Sequence, residues 1–160
     1  MCHTKGSTPY VGSVVAAVHL LAFAMALSAV LARGKALRGV SDSDPSTLRR
    51  VLIADNIWGI SALVLLVTGG LRAFGGYEKG SDYYLHQPLF HVKMTLLVLI
   101  LLLELAPMIR FIKWRIALAR GTRLDLHQAG LFARISHVQA LLLVLMMIAA
   151  SGMARGIGLG

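Results

Sequence analysis

Four segments of the chain are long and apolar enough to cross a membrane, which takes ~20 residues in an α-helix. They lie near residues 11–32, 51–71, 88–109 and 135–154. Hydrophobic residues make up 57% of the chain and charged residues only 14%, so the four segments leave no room for a separate soluble domain. The sequence therefore predicts one all-α domain, an integral membrane four-helix bundle over residues 1–160.

The basic residues are distributed unevenly between the segments, although the net charge of +9 alone would suggest nucleic-acid binding. Eleven of them follow the first or the third segment: Arg33, Lys35, Arg38, Arg49, Arg50, Arg110, Lys113, Arg115, Arg120, Arg123 and Arg134. Only four lie on the other side: Lys5, Arg72, Lys79 and Arg155. The positive-inside rule then predicts a multi-pass inner-membrane protein with both termini outside. Contact with anionic lipid headgroups explains the basic loops, and no nucleic-acid partner is expected.

Each apolar segment contains ionisable residues that membrane insertion does not require. The third contains Lys93 and Glu104, and the others contain His19, Asp55 and His137. A charge at the centre of a membrane helix costs about 2.5–3.5 kcal/mol even on insertion scales, so such residues usually have a function. The chain is therefore expected to have a polar interior.

Helix geometry places Lys93 and Glu104 on one face, since eleven positions correspond to a rotation of only ~20° and a rise of ~16 Å. His91 points away from that face, so we expect Lys93 rather than His91 to face inward. His19 and Asp55 each begin or join a stripe of small residues, which lets membrane helices approach closely. For Asp55 this stripe continues through Gly59 to Gly69. Trp58 and Trp114 suit the membrane interface.

Simpler interpretations of the same residues remain open. Asp55 could be an acid at the start of the second helix, for which Ser46 or Thr47 is the candidate N-cap. Lys93 could extend to the outer headgroups. His19 could be a hydrogen-bond partner between helices, His137 could be interfacial, and Glu104 could pair with Arg110 or with another helix. Residues 110–134 are expected to form a basic, partly helical connection lying on the membrane surface.

Membrane redox or proton chemistry is the functional alternative. A neutral histidine in a helical bundle is a natural axial ligand for haem iron, which makes His19 the candidate metal and cofactor ligand. Lys93 could pair with a porphyrin propionate or move a proton. Asp55 and Glu104, with Lys93, are the candidate catalytic residues of a proton route. With one cysteine and no His-x-x-x-His pair in the chain, a different transition-metal site is less convincing.

Several motifs resemble a bacterial family of predicted four-helix membrane proteins known only as a domain of unknown function. They are His19-Leu20-Leu21-Ala22, Asp55-Asn56-Ile57-Trp58-Gly59, Thr68-Gly69-Gly70-Leu71-Arg72, Lys79-Gly80-Ser81-Asp82-Tyr83-Tyr84, Pro88-Leu89-Phe90-His91-Val92-Lys93 and Arg110-Phe111-Ile112-Lys113-Trp114-Arg115. Together they extend over about two thirds of the chain. The resemblance implies the fold but no activity.

The first-helix histidine and third-helix lysine are also distantly similar to HemJ-type protoporphyrinogen oxidase and to the membrane part of copper-resistance D proteins. In the oxidase family these two positions are associated with binding haem or porphyrin, and they correspond here to His19 and Lys93. The oxidase pattern has a second histidine where this chain has Glu104. A carboxylate is a poor substitute for an axial imidazole, so this departure argues against ligation by two histidines.

Two hypotheses follow, and whether the chain is an enzyme stays open between them. The first is an inner-membrane protein that binds haem b or a porphyrin through His19 and Lys93. The second is a non-enzymatic subunit or assembly factor, acting as a homo-oligomer or within a larger membrane complex. A proton or ion pathway is the remaining alternative.

Overall fold

The computed structural model describes residues 8–41, 44–74 and 88–155. Four helices account for nearly all of them: α1 (Thr8–Arg38), α2 (Pro45–Phe74), α3 (Pro88–Arg120) and α4 (Ala129–Ala154). All four are long and apolar enough to cross a membrane. The predicted all-α, four-helix membrane fold is therefore confirmed.

The helices extend beyond the apolar segments, mostly at the basic end of the bundle. The third helix continues from residue 109 to Arg120, and α4 begins at Ala129. The expectation of a long connection lying on the membrane surface is therefore wrong: only residues 121–128 connect the two helices. Helix α3 can continue because the apolar faces of Phe111 and Trp114 remain buried there.

The start of α2 is set by Asp44 rather than by Ser46 or Thr47. The Asp44 carboxylate accepts hydrogen bonds from the Ser46 amide (2.9 Å) and the Thr47 hydroxyl (2.7 Å). Pro45 is the first helical residue, where its missing N–H has no consequence. Asp55 lies ten residues after Pro45, so it is not an acid at the start of the helix.

Close backbone packing joins α1 to α2, α1 to α4 and α3 to α4 among the described residues. Helices α1 and α4 thus each pack against two others: α1 against α2 and α4, and α4 against α1 and α3. No packing of comparable extent joins α3 to α1 or to α2 within the part of the chain that is described. Contacts between those helices depend on long side chains that cross the interior.

Two groups of buried side chains form the core. The first lies at the basic end, where Phe111, Trp114 and Phe132 pack edge to face or tilted with ring centroids 5.3–6.2 Å apart. The second lies in the middle of the bundle and includes Ala26, Val30, Trp58, Ile100 and Leu143. Many other large apolar side chains are exposed, as expected for helices that face lipid.

The buried face of α2 differs from the predicted stripe of small residues. Gly59 is exposed, whereas Trp58, Ser61 and Thr68 are buried. Since Trp58 is three positions from Asp55, the packing face is rotated by ~60° from the one expected. Trp58 and Trp114, which were expected at the membrane interface, are buried among the helices, with exposed fractions of only 4% and 2%.

Candidate functional site: an arginine buried between four helices

Arg33 of α1 is completely buried, with an exposed fraction of 0%. It lies one turn beyond Val30 and one turn before Leu37, and both of those side chains are also buried. The spacing of three and four residues keeps all of them on one helix face. Arg33 therefore belongs to the packing face of α1, although the end of the apolar segment suggested a residue of the cytoplasmic loop.

All five N–H donors of the Arg33 guanidinium are paired. Nη1 donates to Asp55 Oδ1 (2.9 Å) and Glu104 Oε1 (2.7 Å), and Nη2 donates to Glu104 Oε2 (2.9 Å) and Gln139 Oε1 (2.7 Å). Nε donates to Ser136 Oγ at 3.1 Å. Because arginine has five donors and no acceptor, no capacity is left for a further ligand. The bidentate geometry with Glu104 is the strong form of an arginine–carboxylate pair.

The partners of Arg33 are bonded to one another or to backbone as well. Gln139 Nε2 donates to Glu104 Oε2 (2.7 Å) and to the Ile100 carbonyl (3.3 Å). The Ser136 hydroxyl donates to the Phe132 carbonyl at 2.9 Å, which leaves its oxygen to accept from Arg33.

A second arginine completes the site. Arg115 Nη2 of α3 donates to Asp55 Oδ2 (2.8 Å) and lies 3.4 Å from the Leu52 carbonyl of α2. We call the whole set the Arg33 cluster: Arg33, Asp55, Glu104, Arg115, Ser136 and Gln139. With two arginines and two carboxylates it is electrically neutral when all four are ionised, and it joins all four helices. Its side chains connect α3 to α1 and to α2. Among the described residues, α3 has no extensive backbone packing with either of these helices.

Aromatic rings cover the guanidinium. Its central carbon lies 5.7 Å from the centroid of Trp58 and 5.6 Å from that of Phe111. Both distances fall within the ~6 Å range of cation–π interactions. The two rings help to bury the guanidinium, whose exposed fraction is 0%, so an unpaired charge at Arg33 would be costly.

His137 lies close to the cluster but has a structural contact of its own. Its Nδ1 donates to the Ala133 carbonyl one turn earlier. Its ring packs against Gly34, and a Cβ added at Gly34 would lie 2.6 Å from Cε1 and 2.9 Å from Nδ1. Glycine beside Arg33 therefore allows α1 and α4 to approach closely.

His19 and Lys93 are not contacts of the Arg33 cluster. His19 is half-buried on α1, and its Nδ1 lies 2.7 Å from the Thr68 hydroxyl of α2. That hydroxyl donates to the Val64 carbonyl at 2.6 Å, so it accepts from Nδ1–H. Lys93 is half-buried on α3, whereas His91 is exposed, as helix geometry predicts. The structure brings together Asp55 and Glu104, and it holds His19 at a separate site.

Sequence reasoning missed four residues of the cluster: Arg33, Arg115, Ser136 and Gln139. A signal for Arg33 was present, since it continues the helix face that includes Ala22, Ala26 and Val30. Ser136 and Gln139 are one turn apart within the fourth apolar segment, and polar residues at that spacing indicate a polar contact between helices. Glu104 was expected to pair with Arg110 or with another helix, and its partner in the structure is Arg33 of α1. Arg110 instead binds Asp125 at 3.1 Å.

The fold and the cluster define a polytopic membrane protein whose helices are joined by a buried ionic network. Residues 11–158 match the family model described as predicted membrane protein (DUF2214). The chain belongs to this family. No curated protein and no solved structure matches it significantly.

Proposed function

We propose that the protein is a non-enzymatic membrane component, a subunit or assembly factor whose rigid bundle presents a surface to other membrane proteins. The observation that supports this proposal is the saturation of Arg33. Both carboxylates that could have formed a proton route hold this arginine, and its donors are fully used. A buried arginine whose donors are all satisfied rigidifies the core around it, whereas a binding site needs groups available to its ligand.

We propose an orientation of the helices in the membrane as well. We place the loops after α1 and α3 in the cytoplasm and both termini outside the inner membrane. Arg33 and Arg115 are part of the interior and do not count as loop charges. When both arginines are left out of the count, the excess of basic residues remains on the same side of the membrane. The positive-inside argument is therefore retained.

The experiment is native electrophoresis of tagged protein extracted from its own membranes in a mild detergent. We expect a band larger than the purified monomer, of constant stoichiometry. Lys93→Met should weaken this complex, because Lys93 is a half-buried cation in the outer part of α3. Lys113→Met is the matched control, since Lys113 is exposed near the other end of the same helix. A monomer alone under all extraction conditions would contradict the proposal.

Haem or porphyrin binding is the second candidate, with His19 as the ligand and Lys93 as the propionate partner. One observation favours it. His19 Nδ1 donates to the Thr68 hydroxyl, and a hydrogen bond at one ring nitrogen is typical of histidines that bind a metal through the other. Haem bound there would supply one-electron chemistry within the membrane.

A visible absorption spectrum of protein purified from haem-sufficient cells tests this second candidate. Bound haem would give a Soret band that His19→Ala abolishes. His137→Ala should retain it, because the His137 ring packs against Gly34, far along α1 from His19. A colourless preparation would exclude stable haem binding and leave the structural proposal in place.

A further inference from the structure

An apolar groove lies between α1 and α2 on the outer surface of the bundle. It has a volume of about 520 Å³. On α1 its lining includes Leu21 and the small side chains of Ala24, Ser28 and Ala32, which open the space between the helices. Helix α2 contributes Ile53, Ala54 and Ile57 as well as one charged residue, Arg50. No acidic residue lines the groove.

Arg50 differs from the other arginines that lie near the interior. Arg33, Arg110 and Arg115 each bind a carboxylate. Arg50 has no hydrogen bond or ion pair with any residue that the structure describes. Its side chain is exposed at the entrance of an otherwise apolar groove. Such a cation is complementary to an anion attached to an apolar chain.

The position of Arg50 fixes the direction of the groove. Arg50 lies in the second turn of α2, and Ala32 lies near the end of α1, so both are close to the loop that joins the two helices. The opposite end of the lining on α1 is Leu21. Eleven residues separate Leu21 from Ala32, a rise of ~16 Å. That length is close to half of a ~30 Å hydrocarbon core, which is the depth of one leaflet.

We propose that this groove binds one anionic phospholipid, with its phosphate at Arg50 and an acyl chain lying along Ala32, Ser28 and Ala24 towards Leu21. A zwitterionic lipid satisfies its own phosphate in part with its ammonium group, so the unpaired guanidinium favours a net negative headgroup. The site is distinct from general attraction of the basic loops to the membrane, because it has a defined place for the chain as well as for the charge.

Native mass spectrometry of retained lipid tests the headgroup contact. Delipidated protein is reconstituted into nanodiscs of four parts phosphatidylcholine to one part phosphatidylglycerol, and the lipid that remains bound on release is identified. We expect one retained phosphatidylglycerol in preference to phosphatidylcholine. Arg50→Gln should lower that retention by roughly fivefold, the factor expected for one basic residue near an anionic headgroup. Arg49→Gln is the matched control, because Arg49 is exposed and does not line the groove.

A second pair of variants tests the acyl chain. Ala24→Phe fills the groove and should reduce retention of phosphatidylglycerol at least as much as Arg50→Gln. Ala17→Phe, on an exposed position of the same helix outside the groove, should leave it unchanged. Both sites are exposed, so size-exclusion chromatography should show folded, monodisperse protein for each variant.

Three outcomes would overturn the proposal. Equal losses in Arg49→Gln and Arg50→Gln would indicate a diffuse electrostatic effect. Unchanged retention in Ala24→Phe would exclude the groove as the place of the chain. Efficient disulfide formation between copies carrying Ala24→Cys, in a Cys2→Ser background, would identify the groove as a contact between two copies of the chain.

Discussion

The bundle has two polar sites, the Arg33 cluster (the inner site) and the contact of His19 with Thr68 (the outer site), and they satisfy their polar groups differently. At the inner site, Arg33 is completely buried and each of its donors has an acceptor. Further along the bundle, His19 is half-buried and bonded to Thr68. Each site also has one buried atom without a hydrogen-bond partner among the described residues: Arg115 Nε at the inner site and the Ser61 hydroxyl, two turns before Thr68, at the outer site. The difference indicates that the inner site holds the helices together and that the outer site contributes less to stability.

Arg33→Met should have the largest effect on stability. It leaves Asp55 and Glu104 with one arginine between them, and breaking a buried ion pair costs about 3–5 kcal/mol. We expect a loss of that size in the free energy of unfolding, measured by reversible denaturation in mixed micelles. Arg38→Met is the control, because Arg38 is an exposed arginine in the last turn of the same helix.

A double variant sharpens this test. Arg33→Met combined with Glu104→Leu removes one charge of each sign and leaves Asp55 paired with Arg115. The double variant should be more stable than Arg33→Met alone. If Arg33→Met and Arg38→Met had equal effects, the inner site could not be what holds the bundle together.

Gly34→Ala should have the next largest effect. The new Cβ would lie too close to the His137 ring, which is fixed by its bond to Ala133. Overpacking of this kind costs about 1–3 kcal/mol, to be measured in the same unfolding assay. Gly59→Ala is the control: nothing lies within 4 Å of its added Cβ, and a helical glycine replaced by alanine gains ~0.5–1 kcal/mol. In a His137→Ala background, Gly34→Ala should no longer lower the free energy of unfolding. A loss that persists there would contradict the contact between the added Cβ and the His137 ring.

Thr68→Val tests the outer site. Removing the hydroxyl breaks its bond to His19, and hydrogen bonds between membrane helices contribute about 0.6 kcal/mol on average. The loss in unfolding free energy should therefore be several times smaller than for Arg33→Met. Thr95→Val is the control, since the Thr95 hydroxyl bonds only to its own helix, at the His91 carbonyl. A loss as large as that of Arg33→Met would abolish the contrast between the two sites.

Asp44→Ala removes the cap of α2 outside both sites, and its effect should depend on pH. Hydrogen bonds from Ser46 and Thr47 lower the pKa of the Asp44 carboxyl from 3.8 to about 2. A lowered pKa in the folded state stabilises the fold above the ordinary pKa, and this contribution disappears as the pH falls through about 2. The difference in Tm between the native protein and Asp44→Ala should therefore shrink over that range. Asp44→Asn cannot titrate either, so the difference in Tm between Asp44→Asn and Asp44→Ala should change little with pH.

Much of the fold could be predicted because membrane insertion depends on summed hydrophobicity, which is a local property of each segment. The interior positions of Glu104 and Asp55 could be predicted in the same way, since a lipid-facing carboxylate is costly. Their common partner, Arg33, could not be predicted from the sequence. Lys93 and Glu104 share a helix face, yet ~16 Å of rise places them beside different neighbours. Helix periodicity predicts the direction in which a side chain points, but it does not predict which side chain of another helix it contacts.

The amino-acid sequence by itself determined that this chain crosses the membrane with several apolar helices and has charges inside. Only the tertiary structure decided that Arg33 is the centre of those charges. An arginine at the end of an apolar segment has the same local sequence whether it extends to the headgroups or turns into the bundle. The choice depends on acceptors contributed by three other helices, at positions 55, 104, 136 and 139, and these come together only when the helices pack.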